Sequence, residues 1–174
     1  MENEGVYVDE DLLNEMSLNI GDRLDLLVNE IYDIADKEFN INSTQQLAKI
    51  LFDDLKLTQI KKRSTAENVL KELVNEHALP ELILSYRKLN KLKNTYIDAL
   101  PSSINKNTKR IHSTFNQTIA ATGRLSSTGP NFQNIPIRTV EGREIRKSFI
   151  AQQKNWGIFS ADYSQIELRI MAHL

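Results

Sequence analysis

Two carboxylates, Asp162 and Glu167, stand five residues apart where an apolar alternation gives way to a helical one. From Asn155 to Asp162, Trp156, Ile158 and Ser160 alternate with Gly157, Phe159 and Ala161, the period-two pattern of a strand. Ser164 with Glu167 three residues later reads as a capping box opening a helix. Asp162 is thereby expected at the carboxyl end of a strand, just ahead of a helix, and its oxygens suit magnesium. The plainer alternatives are a turn aspartate feeding a helix N-terminus, and a Glu167 that only reciprocates the Ser164 cap. A second set, Arg124, Asn131, Gln133, Asn134 and Arg138, gathers planar donors in an irregular segment. Such side chains hold phosphates and read base edges, although loops are polar for many reasons. A third set places Lys61, Lys62 and Arg63 just before Ser64, beside a predicted helix N-terminus that itself attracts anions. Lys88, Lys91 and Lys93 surround a further predicted helix, where a solvated face is the ordinary account.

Composition removes several other chemistries. The chain has no cysteine, which excludes disulfides, thiolate zinc sites and cysteine nucleophiles. His77, His112 and His173 are too scattered for a histidine metal cluster. No apolar run approaches the roughly 20 residues that cross a bilayer. Met1 to Gly5 lack the basic and apolar regions of a secretory signal, so a cytoplasmic protein is expected. Hydrophobic residues at 40% and charged residues at 26% argue for a folded chain rather than a disordered one.

The elements that must position these side chains are mostly helical. Leu12, Leu13, Met16, Ile20, Leu24, Leu27, Val28, Ile31 and Ile34 recur at three and four, predicting one amphipathic helix from Asp9 to about Ala35, or two if Gly21 breaks it. Ser43 and Gln46 form a capping box for a second helix through Leu47, Ile50, Leu51 and Leu55. Ser64 and Glu67 form another, ahead of a stripe of Val69, Leu70, Leu73 and Val74. Pro80 suits the start of a fourth helix with Leu82, Ile83, Tyr86, Leu89, Leu92 and Tyr96 on one face, closed by Pro101. Beyond it Ile111, Ser113 and Phe115 alternate with His112, Thr114 and Asn116 as a strand, and Thr128-Gly129-Pro130-Asn131 is a turn. Helical spacing through Ile166, Ile170 and Leu174 runs to the final residue, so a chain cut within a helix is expected.

Charge is unevenly spread. Residues 1–40 carry 12 acids and 2 bases, whereas residues 41–113 carry 13 bases and 7 acids, and residues 114–174 carry 7 bases and 4 acids. The two later segments are thus +6 and +3 behind an acidic leader of −10. A basic surface of that kind suits a polyanion, and an ordinary solvated surface with sign asymmetry is the alternative.

In order along the chain, three runs carry a specific resemblance: Thr122-Gly123-Arg124-Leu125-Ser126-Ser127, then Pro130-Asn131-Phe132-Gln133-Asn134-Ile135-Pro136, then Asp162-Tyr163-Ser164-Gln165-Ile166-Glu167-Leu168-Arg169. Together they resemble the family A DNA polymerases. The likeness extends upstream through Tyr86 to Tyr96, which is similar to that family's long thumb helix, and to Phe39–Ser43 and Gly5–Asp9. It implies an α+β fold: a palm or thumb-base helix over residues 1–40, a helical thumb over 41–101, and over 102–174 part of a palm with antiparallel strands. It implies template-directed nucleotidyl transfer with two magnesium ions, primer–template DNA and deoxynucleoside triphosphates as partners, and a monomer without membrane contact.

By the same resemblance Asp162 is the first of two metal-binding aspartates, and Tyr163 offers its backbone carbonyl to the nucleotide-side metal. Tyr163, Ser164, Gln165 and Glu167 surround the nucleotide, with Glu167 lying under the sugar as a steric gate. Arg124 reaches the minor-groove side of the primer-terminal pair, where the acceptors are common to all correct pairs. Asn131, Gln133, Asn134 and Arg138 bind duplex near the junction, and Asn40, Ser64, Thr65, Arg87, Lys91 and Thr95 are thumb contacts to the DNA backbone. The sequence departs from the pattern in three ways. It has no His-Asp-Glu tripeptide, which in the family supplies the second catalytic aspartate; it has no fingers helix; and it runs straight from Lys61-Lys62-Arg63 into Ser64 where the family has a longer thumb-tip loop. The expectation is a polymerase fragment, inactive alone. The competing readings are a non-catalytic duplex-binding module and a phosphohydrolase built on Asp162 and Glu167; at that spacing on the head of a helix the two carboxylates do not converge on one ion.

Overall fold

A computed structural model of the chain describes residues Met1–Leu174. Helix α1 spans Glu10–Ala35 without interruption, so Gly21 does not break it. Its start is set by Asp9, whose side chain accepts the Leu12 N–H at 3.0 Å, with Glu10 and Asp11 in the first turn, where the helix dipole favours acids. It stops at Asp36, which adopts a left-handed conformation. Helix α2, Thr44–Lys49, widens into a π turn at Ile50–Asp54. Half of its expected capping box forms: Ser43 Oγ accepts the Gln46 N–H at 3.3 Å, but the Gln46 side chain reaches the Asn40 N–H at 2.8 Å instead of that of Ser43.

Helix α3 covers only Glu67–Leu73, so the capping box at Ser64 and Glu67 does not form. Its N-cap position is Ala66, and Ser64 Oγ accepts the Ala66 N–H in a short turn. The cause is Arg87, whose guanidinium takes the carbonyl of Thr65 at 2.5 Å and its hydroxyl at 3.4 Å, drawing that residue into a non-helical tether. Glu67 pairs instead with Lys71 one turn on. Helix α4 is Leu79–Leu92, with Pro80 in its first turn, where no intrahelical donor is lost. It does not run to Pro101: a π turn at Lys93–Ile97 follows, and Pro101 lies inside the short helix α5, Ala99–Ser102. Lys93, expected on a solvated face, is instead partly buried and bonded within the chain. Its ammonium bonds Ser17 of α1 at 2.6 Å and Asp98 at 2.9 Å, closing a network between α1 and the π turn.

The strand predicted near Ile111 appears as β1, Thr114–Asn116, paired antiparallel with β2, Ser126–Thr128, in the register Phe115 opposite Ser127. Ile111 itself bridges Val6 and Ile104, and Val8 bridges Phe149, so the first residues form a strap between two later segments. Gly5 makes this possible: its φ is +64° and an added Cβ would meet the Ile111 carbonyl at 2.7 Å. Helix α6, Val140–Lys147, is capped by Thr139, whose hydroxyl accepts the Gly142 N–H at 3.0 Å. Glu141 at its start bonds Arg23 of α1 at 3.0 Å and lies 3.9 Å from Lys88 of α4, joining three elements.

The α+β class holds, with helices dominating and one small antiparallel sheet. One cluster of 27 buried apolar residues forms the core, and its last member is Ile145. Residues 155–162 form no strand, contrary to the alternation, and every residue from Gln152 to Leu174 is exposed. A strand needs backbone partners, and no segment of this chain pairs with these residues. Helix α7 spans Ile166–His173, preceded by a left-handed Gln165 that gives no side-chain cap, so the Ser164–Glu167 capping box is also absent. The Ser164 carbonyl accepts instead from Arg169 Nε at 3.0 Å.

Candidate nucleic-acid interface

Candidate residues from the two halves of the chain meet across one cleft of about 680 Å³. Its helical wall carries Lys71, Arg87, Lys88 and Lys91, and its other wall is Asn134, Pro136 and Thr139. Of the acids on the helical side, Glu67 is matched to Lys71 at 2.6 Å, while the cation of Lys91 stays exposed. An adjoining cavity of about 840 Å³ is lined by Asn42, Arg63, Ser64, Thr65 and Arg87 among others. Arg87 thus touches both. Burial lowers its guanidinium below the usual arginine value, and its two bonds to Thr65 aim its fork at the tether. Arg63 is partly spent within the chain, forming a two-pronged pair with Asp53 at 2.5 and 2.8 Å that holds the Asp53 carboxyl below its ordinary range. Asn40 lies outside these cavities; its side chain accepts the Asn42 N–H at 3.0 Å. Thr95 is exposed on the π turn after α4.

The strip Asn131–Arg138 presents Asn131, Gln133, Asn134 and Arg138 to solvent and turns Phe132 and Ile135 inward. Asn131 spends its side-chain carbonyl locally, accepting the Gln133 N–H at 3.0 Å as cap of the short 3₁₀ turn Phe132–Asn134. The other donors are free of intramolecular side-chain bonds.

Around the candidate chemistry, Arg124 and Glu167 are brought together at 3.0 Å, each more than half exposed. The Glu167 carboxyl is held below the usual glutamate range, first by its own backbone N–H at the helix start and then by Arg124. Asp162, Tyr163, Ser164 and Gln165 are exposed and converge on no other candidate. No group of three histidine, aspartate or glutamate side chains could hold a metal ion. The phosphohydrolase alternative loses its geometry here, since Glu167 turns to an arginine. No helix is long and apolar enough to cross a membrane.

Sequence reasoning missed Tyr96, Ser113, Ser127 and Arg146 as working residues. Ser113 and Ser127 are buried and bonded to each other at 2.7 Å. Ser113 donates to the carbonyls of Thr128 or Pro130, and Ser127 accepts the Phe132 N–H at 3.2 Å. The one available signal was the period-two alternation that puts Ser113 on the inward side with Ile111; a serine on a buried face needs a polar partner.

A family model described as DNA polymerase family A matches residues 10–174. DNA polymerase I of Pseudomonas aeruginosa is 51% identical over 180 residues, covering 100% of this chain and 20% of the relative. The thermostable DNA polymerase I of Thermus filiformis is 48% identical over 180 residues, again 100% of this chain and 22% of the relative. The polymerase domain of Pol1 from M. smegmatis, solved in complex with DNA primer-template and dNTP, superposes with a TM-score of 0.83 at 41% identity, covering 98% of this chain and 31% of that one. The chain therefore spans about a fifth of the length of the curated relatives it matches.

Proposed function

We propose a function that proceeds from one fact: this chain belongs to DNA polymerase family A. It forms the duplex-gripping part, and the mount of the first catalytic carboxylate, of a DNA-directed DNA polymerase used in replication or repair, working as a monomer in the cytoplasm. The observation that carries this reading is the cleft between α4 and the Asn131–Arg138 strip, with Arg87 and Lys91 among the residues of one wall and Asn134 on the other. Cations on one wall suit phosphates, and the planar amide of Asn134 on the other suits a groove edge. Residues 1–40 serve as the thumb base, 41–101 as the thumb, and 102–174 as part of the palm.

Within that frame Asn40, Ser64, Thr65, Arg87, Lys91 and Thr95 meet the DNA backbone. Asn131, Gln133, Asn134 and Arg138 meet the duplex near the primer end. Arg124 donates to the minor-groove acceptors of the terminal pair, and Glu167, its present partner, excludes a ribose hydroxyl beside Tyr163, Ser164 and Gln165. Engagement of DNA by Arg124 therefore breaks an exposed pair, which costs little because such pairs are weak. Asp162 and the Tyr163 carbonyl have the hard-oxygen chemistry that magnesium takes, though one carboxylate is an incomplete set. When bound, two such ions activate the primer hydroxyl and neutralise the triphosphate. With Asp162 as its one carboxylate for metal, the chain alone binds primer–template DNA and extends no primer.

The test compares two variants in a complete polymerase containing this chain. Arg124→Ala is expected to lower the extension rate by about 10²–10³, as loss of a preorganised donor does, with little change in duplex affinity. Lys91→Ala is expected to do the reverse. If both variants give one pattern, Arg124 is only a phosphate contact and the active-site assignment around it fails.

A further inference from the structure

The Asn131–Arg138 strip has one short 3₁₀ turn and no other regular structure, yet its backbone is held from two sides. Tyr96, only 7% exposed on the π turn after α4, donates its phenol to the Asn134 carbonyl at 2.5 Å. Arg146, on α6, donates through Nη2 to the Ile135 carbonyl at 2.9 Å and through Nε to the Pro136 carbonyl at 3.2 Å. Three successive carbonyls are thus taken by side chains from two different elements. Packing agrees with this arrangement. The Phe132 ring stands edge-on to Phe149 at 5.7 Å, Ile135 is buried, and Gly142 lets α6 lie so close that a Cβ there would meet the Pro136 carbonyl at 2.6 Å.

A loop without a ladder is ordinarily loose, and ordering it on contact with a ligand opposes binding. Here the peptide planes from Asn134 to Pro136 are set before any ligand arrives, and with them the directions of the outward side chains. Tyrosine suits the task because its rigid ring carries a hydroxyl through apolar surroundings, and arginine because its planar fork can meet two carbonyls at once. We propose that Tyr96 and Arg146 are positioning residues that preform the Asn131–Arg138 strip for duplex DNA. The role in binding rests on the reading above that this strip meets DNA; the clamp itself does not.

Tyr96→Phe removes one hydroxyl and keeps the ring, while Arg146→Met and Arg146→Lys remove the fork, the second keeping the charge. Each variant of the full 174-residue chain is measured for backbone amide exchange without DNA and for affinity toward a fluorescent primer–template. Exchange at residues 131–138 is expected to quicken about tenfold in Tyr96→Phe and Arg146→Met, with α1 unaffected. Affinity is expected to fall about five- to tenfold, with the salt dependence of Tyr96→Phe unchanged because no phosphate contact is lost. Arg146→Lys should behave like Arg146→Met, which a simple phosphate contact would not. Should Tyr96→Phe loosen the whole chain, the exposed Arg146 supplies the same test without disturbing the core. Unchanged exchange in every variant overturns the clamp, and faster exchange with undiminished affinity overturns its role in binding. Faster exchange in the variants of a chain that binds no DNA supports the clamp and contradicts the DNA reading instead.

Discussion

Leu70 and Ile83 are 0% exposed, whereas Phe159 is 90% and Leu168 59% exposed, although all four lie in segments with clean apolar periodicity. The region up to about Phe149 finds partners for its apolar faces: α1 lies along α4, α3 along α4, and the N-terminal strap bridges Ile111 and Phe149. The region from Gln152 onward, which carries Asp162 and Glu167, finds none. Periodicity therefore states which face of an element is to be buried, but burial itself requires a complement. The side chains proposed to face duplex stand on the packed region, and Asp162, proposed as a metal ligand, stands on the unpacked one.

The largest expected effect comes from core truncation. Ile83→Ala should destabilise the chain by about 2–5 kcal/mol through lost burial and a cavity, whereas Phe159→Ala should shift stability by less than about 0.5 kcal/mol. Urea unfolding of the two variants checks this directly, and equal effects would erase the contrast between regions.

Two glycines sharpen it further. A methyl at Gly142 meets Pro136 backbone at 2.6 Å, and a methyl at Gly157 meets nothing within 4 Å. Gly142→Ala should cost about 1–3 kcal/mol by overpacking and displace the strip, while Gly157→Ala should be nearly silent. Melting curves together with amide shifts of residues 131–138 would report both.

These differences explain what was legible beforehand. The helices of the first hundred residues could be read because each buries one periodic stripe, and the neighbourhood of β1 could be read because Ile111 and Ser113, just ahead of it, alternate with less buried residues. The polar candidates Asn131, Gln133, Asn134 and Arg138 could be read as a set. What holds them could not, because Tyr96 reaches Asn134 across 38 residues and Arg146 reaches Ile135 across 11, and such bonds leave no period. The capping box at Ser64 failed because Arg87 captures Thr65, a tertiary partner outcompeting a local one, and the one at Ser164 failed because Gln165 turns left-handed ahead of the helix while Glu167 pairs with Arg124. The strand at 155–162 failed because its pattern specifies a face without supplying a neighbour. The fold of the segment carrying Asp162 is thus the part least determined by these residues alone.

A smaller effect separates the regions by pH. Partial burial pushes the Glu141 carboxyl up, but its own backbone N–H, Arg23 and Lys88 outweigh that and hold it below the ordinary value of 4.5. A lowered folded-state value means its stabilisation is complete above that ordinary value and is lost as pH falls through the folded one. Wild type should therefore lose stability on acidification below about pH 4.5 more steeply than Glu141→Gln, as thermal unfolding across that range would record.

The most direct measurement is the salt dependence of primer–template binding by the chain itself, compared for wild type, Lys91→Ala and Asp162→Ala. The logarithm of affinity should fall linearly with the logarithm of salt in wild type, by roughly 0.9 per phosphate contact. Lys91→Ala should bind more weakly with a slope shallower by about one contact, because it removes a cation from the packed wall of the cleft. Asp162→Ala should keep the wild-type slope, because its segment contributes no phosphate contact without a complement. A steep change of slope in Asp162→Ala with none in Lys91→Ala, or wild-type binding indifferent to salt, would contradict the proposed division between a DNA-gripping region and a catalytic segment with an unpacked apolar face.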